Sequence, residues 1–222
     1  MNVYLLVEGD RTEKIIYRNW ISAIFPQLSQ VATVEAVQDN HFFLISGHGY
    51  PSYLSRIKAA LTDILSIHRF DHFFICIDAE EMSLQEKVAE IQAILDDSPF
   101  FANTHIIVHD CCIETWFLGH QRMLKTHPLS DDLRAFKKFY DVSLQDPEKM
   151  GAPEHYETRA QYHLDYLKAM LREQEVQYSK TLPRCTAEKH YFDSLADRFD
   201  NTQHLASFGR LLQIWRRLGG SC

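Results

Sequence analysis

The chain has 222 residues, 45% of them hydrophobic and 24% charged, and a formal net charge of −7 at pH 7. That length is enough for a full core, either as one large α/β domain or as a domain with a substantial helical appendage. The acidic balance argues against nucleic-acid binding by the whole surface, since phosphate contacts need Lys and Arg, and leaves room only for a local basic stripe.

Residues 2–7 read as a first strand. Val3-Tyr4-Leu5-Leu6-Val7 is an apolar run without polar interruption, the pattern of a strand buried on both faces of a parallel sheet, and it stops at Glu8-Gly9. Asp10-Arg11-Thr12-Glu13 then opens a helix, with Asp10 placed to cap it and Glu13 three residues on, as in a capping box. Ile16, Trp20, Ala23 and Ile24 form its apolar stripe. Runs of β-branched and aromatic residues at 31–37 and 42–46 predict strands, and Ser46-Gly47-His48-Gly49-Tyr50-Pro51 predicts a turn; it lacks the framing of a phosphate loop. From Tyr53 to His68 the spacing of Leu54, Ile57, Leu61, Ile64 and Leu65 predicts an amphipathic helix. Phe73-Phe74-Ile75-Cys76-Ile77 repeats the design of the first strand and stops at Asp78-Ala79-Glu80-Glu81. A helix over 84–95, a strand over 104–108 and a further helix from Ile113 follow.

Strand and helix alternate up to His120, which argues for an α/β fold with a mainly parallel sheet. Residues 126–155 carry turn formers and charges, and from Tyr156 onward nearly everything reads helical. The expected organisation is an α/β domain over 1–125 and a mostly helical C-terminal extension over 126–222, packed on it. Within that extension Tyr162, Tyr166 and Leu167 read as core. The five cysteines show no CxxC spacing, which argues against a disulfide framework or a structural zinc site and makes a reducing cytoplasm the expected location. No apolar stretch approaches the ~20 residues of a membrane span, and the chain starts directly on a strand-like run without a charged leader. The twelve histidines lie without ligand spacing; His109, close to Glu114, is the one that invites a test.

In parallel sheets the ligand crevice lies beyond the carboxyl ends of the strands. Glu8 and Asp78 therefore belong at its rim, with Glu80 and Glu81 just past it. Acids gathered at one edge repel each other unless a cation joins them, and oxygen-only ligands favour Mg²⁺ or Mn²⁺ over zinc. With ions ~3.5–4 Å apart, a two-metal site clamps the attacking and the leaving oxygen of a phosphodiester. Glu8, Glu13, Asp78, Glu80 and Glu114 supply a sensible complement of charge for one or two such ions.

The stretch Val7-Glu8-Gly9-Asp10-Arg11-Thr12-Glu13-Lys14 resembles the opening of TOPRIM domains, the catalytic module of topoisomerases, primases and OLD-type nucleases. The step from Glu8 to Glu13, with Thr12 before the second acid, is most similar to the RloB-like TOPRIM proteins, small members often associated with restriction and phage-defence loci. Asp78-Ala79-Glu80 stands where that family has Asp-x-Asp. His109-Asp110-Cys111-Cys112-Ile113-Glu114-Thr115-Trp116-Phe117-Leu118 resembles the third acidic segment of the RloB-like and OLD-type groups. The resemblance covers roughly residues 1–120. It implies a TOPRIM-like sheet, a metal-dependent nuclease acting on DNA or RNA (tRNA included), catalytic roles for Glu8, Asp78, Glu80 and Glu114, and an antiviral setting. OLD-type nucleases often work with an ABC or SMC-like ATPase; the chain has no GxxxxGK[ST] loop, so such an ATPase is a separate subunit. Three departures stand out. Glu80 is one methylene longer than the family's Asp, Cys112 stands where OLD-type proteins can carry Ser, and the catalytic Lys has no direct counterpart. Lys180 is the candidate for it, with Lys189 behind it.

Each acid also has a plainer reading. Glu13 is explained by a capping box, and Glu80, Glu81 and Glu114 by the preference of a helix start for acids; which of Glu80 and Glu81 is a ligand stays open. Arg210, Arg216 and Arg217 follow from a docked terminal helix or form a phosphate-contacting edge. A competing reading of the whole chain is a non-catalytic scaffold or interaction subunit whose acidic pocket is held by a cation. A nucleotide-binding doubly wound enzyme is disfavoured by the lack of a Gly-rich strand-to-helix loop. Self-association is left open.

Overall fold

β1 (Val3–Val7) lies at the centre of a five-stranded, all-parallel sheet of order β2-β3-β1-β4-β5, in which β2 is Ser29–Val31, β3 His41–Ser46, β4 His72–Asp78 and β5 Thr104–His109. The computed structural model describes residues 1–96 and 98–222. Registers are fixed by pairs such as Val7 with Ser46 and with Cys76, and Asp78 with His109. Side chains alternate across a strand, so each apolar run feeds two cores. Val3, Leu5, Val7, Phe74, Cys76 and Ile107 join one; Tyr4, Leu6, Phe73, Ile75, Ile77, Ile106 and Val108 join the other.

The second core is closed by α2 (Ser52–Ile67) and α3 (Leu84–Leu95). The first is closed by α1 (Thr12–Ile24) together with the C-terminal helices. These are α4 (Ile113–Phe117), α5 (Asp131–Phe139), α6 (Arg159–Arg172), α7 (Lys189–Thr202) and α8 (Ala206–Arg217). Trp20, Trp116 and Trp215 are buried in that core, with Trp20 and Trp116 edge-on to Phe208 and Trp215 stacked on Phe192 at 5.6 Å. Each such aromatic pair adds ~0.5–1.5 kcal/mol to the burial itself. The first half and the C-terminal helices thus share one continuous core. No helix among the described residues is long and apolar enough to cross a membrane.

Four local expectations are corrected. Residues 31–37 are not a strand: β2 stops at Val31 and Val34–Ala36 forms a single 3₁₀ turn. Asp10 does not cap α1. The helix starts at Thr12 without a side-chain cap, and Asp10 turns outward to Lys14 and His48, at 3.7 and 3.1 Å. The capping box sits instead on α3, where Ser83 and Glu86 bond each other's amides. The region 126–155 contains a helix, α5, capped by Ser130, and helix is broken over 173–188, where Ser179 and Leu182 pair across a tight turn. Charged surface positions hid the amphipathic stripe of α5, and propensity alone does not register a turn held by tertiary contacts.

Candidate metal centre

The helix after β1 packs on one face of the sheet and the helix after β4 on the other. The gap between the carboxyl ends of β1 and β4 is therefore a topological switch point, where parallel sheets leave a crevice. Glu8 ends β1 and Asp78 ends β4. Glu8 Oε2 accepts the N–H of Asp78 at 2.9 Å, and the Glu8 charge acts on the Asp78 carboxyl. The Glu8 carbonyl accepts the Ser46 hydroxyl at 3.1 Å and the Gly49 N–H at 3.2 Å, which fixes the backbone there.

Glu13 comes up from the first turn of α1. With its capping role gone, its carboxylate is packed beneath Gly9, where a Cβ would stand 2.2 Å from Oε2. A larger residue at that position would push the Glu13 carboxylate aside. Glu114, 2% exposed, enters from α4 and accepts the Tyr178 hydroxyl at 3.0 Å. Lys180 follows two residues later in the turn; its carbonyl accepts the Thr12 hydroxyl at 2.6 Å, which ties that turn to the start of α1. Its ammonium is stabilised first by Glu114 and then by Asp78 and Glu13, which raises its pKa. Lys189 is elsewhere, paired with Asp193 on the surface of α7 at 2.7 Å.

Glu80 has a left-handed backbone (φ 53°), uncommon for a non-glycine residue, and donates its N–H to the Cys111 carbonyl at 2.8 Å. Its side chain is exposed, and its charge acts on Glu8. Glu81 turns away and accepts the Arg159 N–H at 2.9 Å, at the start of α6. Of the two neighbours, Glu80 is the one whose charge reaches Glu8.

Glu8, Glu13 and Asp78 are held against their preference for ionisation. Burial pushes Glu13 up to about 7, with the Asp78 charge adding to it. Burial also raises Glu8, opposed by the Asp78 N–H and reinforced by Glu80. Asp78 is pushed well above the carboxylate range by burial and then by Glu8 and Glu114, with Lys180 opposing. Two acids this close lose their protons in steps that belong to the pair.

Lys87 and Tyr178 carried no signal in the sequence, and His109, singled out there for its closeness to Glu114, takes a defined place at the site. His109, fully buried at the end of β5, donates from Nδ1 to Asp78 Oδ1 at 2.6 Å, while its Nε2 accepts the Tyr17 hydroxyl at 2.8 Å. Burial holds its pKa down to about 4, so the ring is neutral and that tautomer is the one its two partners select. It orients Asp78 as an outer-shell residue orients a ligand. Lys87 of α3, 3% exposed, pairs with Glu90 at 3.3 Å, lies 4.4 Å from the Tyr50 ring centroid and lowers the pKa of Glu8. Tyr178 could not be placed because it meets Glu114 only through the tertiary fold. For His109 a signal did exist, a polar residue ending an apolar strand, as Glu8 and Asp78 do.

The donor set fits a hard divalent cation: carboxylates only, partly starved of positive partners. Among the described residues no three of these carboxylates bring oxygens within 4.8 Å of one another, so an ion held here would keep waters in its shell. A cavity of about 570 Å³ lies apart from these acids, between α5 and α6, lined by Phe136, Phe139, Tyr156 and Tyr162 among others. Arg216 forks onto Asp200 at 2.8 Å, which leaves Arg210 and Arg217 as the free cations of α8 among those the sequence singled out. No protein-family model, curated protein or solved structure matches the chain.

Proposed function

We propose that the protein is a divalent-metal-dependent, TOPRIM-type nuclease that hydrolyses phosphodiester bonds of DNA or RNA. The observation that carries this reading is the meeting of Glu8, Glu13, Asp78 and Glu114 with Lys180 at the switch point between β1 and β4, with Glu8, Glu13 and Asp78 raised in pKa. Such a crevice gains most from a cation. Glu8, Asp78 and Glu114 would hold Mg²⁺ or Mn²⁺, with Glu13 on the wall and Glu80 at the mouth. The ion supplies charge stabilisation to the phosphoryl oxygens. His109 keeps Asp78 in one orientation, and Tyr178 does the same for Glu114. Lys180 offers a positive charge to the phosphoryl group and a proton to the leaving oxygen. The resemblance of the three acidic segments to RloB-like and OLD-type proteins supports a cytoplasmic, antiviral role beside a separate ATPase subunit.

The scaffold reading draws on one observation, that Asp78 Oδ1 and Glu114 Oε1 are already satisfied within the chain. Glu8→Gln separates the two. The amide oxygen still accepts the Asp78 N–H, so the fold is kept while one charge partner of the ion is removed. We expect Mn²⁺-dependent cleavage to fall by at least ~100-fold with the metal-free Tm preserved, and the Mn²⁺-induced rise in Tm to shrink, since ligand binding stabilises by mass action. If cleavage requires the ATPase, the same comparison is made on the assembled complex. Cleavage by Glu8→Gln at the wild-type rate refutes the mechanism, and absence of cleavage from both proteins favours the scaffold.

A further inference from the structure

Behind the carboxylate crevice lies a second donor set of different chemistry. Cys111 and Cys112, in the turn between β5 and α4, meet His163 of α6. Their donor atoms all fall within 4.8 Å of one another, and the three residues are 0%, 2% and 0% exposed. Successive residues of an extended chain point to opposite sides. Here Cys111 is left-handed (φ 67°), and the two thiols come to one side.

The imidazole is set up as a ligand. Its Nε2–H donates to the Met150 carbonyl at 3.1 Å, which leaves Nδ1 as the lone-pair nitrogen. Anchoring the far N–H of a histidine on a backbone carbonyl is how metal-binding histidines are oriented. Nδ1 faces the Thr115 hydroxyl at 2.7 Å, and that hydroxyl is 3.7 Å from Cys112 Sγ. An oxygen thus stands between the nitrogen and the sulfur, placed to act as a fourth donor or to yield to one.

We propose that Cys111, Cys112 and His163 form a Zn²⁺ site, with Thr115 Oγ1 or a water completing four-coordination. Two sulfurs and an imidazole nitrogen select a softer ion than the oxygen donors of the crevice, so the two sites sort metals by ligand type. The ion clamps α6 to the turn that carries Glu114, and through the Cys111 carbonyl to the Glu80 amide. Binding releases the protons of both thiols. The rule that zinc cysteines are spaced as CxxC does not reach this set, in which two ligands are adjacent and the third lies on a distant helix.

The test is Co²⁺ titration of the reduced full-length protein in excess Mg²⁺, which occupies the oxygen crevice. The expected result is one Co²⁺ per chain with sulfur-to-cobalt charge-transfer absorption, displaced by Zn²⁺, and a Tm raised by Zn²⁺. Cys111→Ser, Cys112→Ser and His163→Gln should each weaken Zn²⁺ binding by more than the ~10–100-fold that loss of an outer-shell partner costs, while Cys185→Ser changes nothing. Should one of the three variants fail to fold, the wild-type spectrum and the remaining variants decide. No charge-transfer band in the wild type, a band that persists in the variants, or a band lost in Cys185→Ser overturns the proposal.

Discussion

Glu13→Gln tests whether the crevice acids are held in wait for a cation. Glu13 is 8% exposed, and its pKa is raised from 4.5 to about 7. Because the folded state holds the proton more tightly than the unfolded chain, the contribution of Glu13 to stability is fully present below pH 4.5. It is lost as pH rises through 7. A shift of 2.5 pH units corresponds to about 3 kcal/mol, of which about 2.5 kcal/mol falls between pH 5 and pH 8. The amide keeps the shape under Gly9 and cannot ionise. Relative to wild type, Glu13→Gln should therefore be nearly neutral at pH 5. At pH 8 without metal it should be more stable by roughly 2–3 kcal/mol, a Tm gain of roughly 4–12 °C for a chain of this size. His109, lowered from 6.5 to about 4, acts in the opposite sense. Its contribution is present above pH 6.5 and is lost as pH falls through 4, and it cancels to first order between the two proteins. The assay is urea unfolding at both pH values in EDTA, repeated with Mn²⁺. Mn²⁺ should stabilise wild type more than the variant at pH 8. A stability difference independent of pH, or a variant less stable than wild type at pH 8, refutes the reasoning.

Lys180→Met should lower cleavage by ~10²–10³-fold and yet tighten Mn²⁺ binding a few-fold, because it removes a positive charge that competes with the ion for Glu114 and Asp78; isothermal titration and a cleavage assay read the two effects separately. A merely structural lysine would move neither in that pattern. Gly209→Ala on α8 should destabilise by ~1–2 kcal/mol even though alanine is the better helix former by ~1 kcal/mol, because a Cβ there would stand 2.1 Å from the Phe199 ring, and overpacking a rigid core costs ~1–3 kcal/mol. A thermal melt in which Gly209→Ala gains stability would show that α7 and α8 can separate freely.

The sheet was legible because its central strands are read by length and polarity alone. Residues 3–7 and 73–77 are apolar on both faces, the pattern of a strand covered on both sides. Glu8 and Asp78 were legible for the same reason, as the first polar atoms after an apolar run. What the sequence hid are contacts between segments far apart. The Thr12 hydroxyl meets the Lys180 carbonyl across 168 positions, and Tyr178 meets Glu114 across 64. Lys180 stood out only by resemblance, since its neighbours Gln177, Tyr178 and Ser179 carry no periodic signal. Asp10 misled because a capping pattern was present, while its carboxylate found Lys14 and His48 instead. The buried cysteines and His163 were invisible to spacing rules because a left-handed residue and a helix packing, rather than a local turn, bring them together.

The two halves of the chain depend on each other at the crevice. Glu8, Glu13 and Asp78 come from the α/β part, whereas Tyr178 and Lys180 come from a turn after α6, tied to α1 and α4 by the Thr12 and Tyr178 hydroxyls. Without that turn, Glu114 loses its hydroxyl donor and the acids lose their one nearby cation after Lys87. Asp78 and Glu114 are held in place by the side chains of His109 and Tyr178, whereas Glu8 accepts the Asp78 N–H and Glu13 its own. On the proposed reading, a cation entering from the mouth would meet two acids oriented by side chains and two held by backbone N–H groups; the first pair would lower the ordering cost of binding and the second would add electrostatic gain.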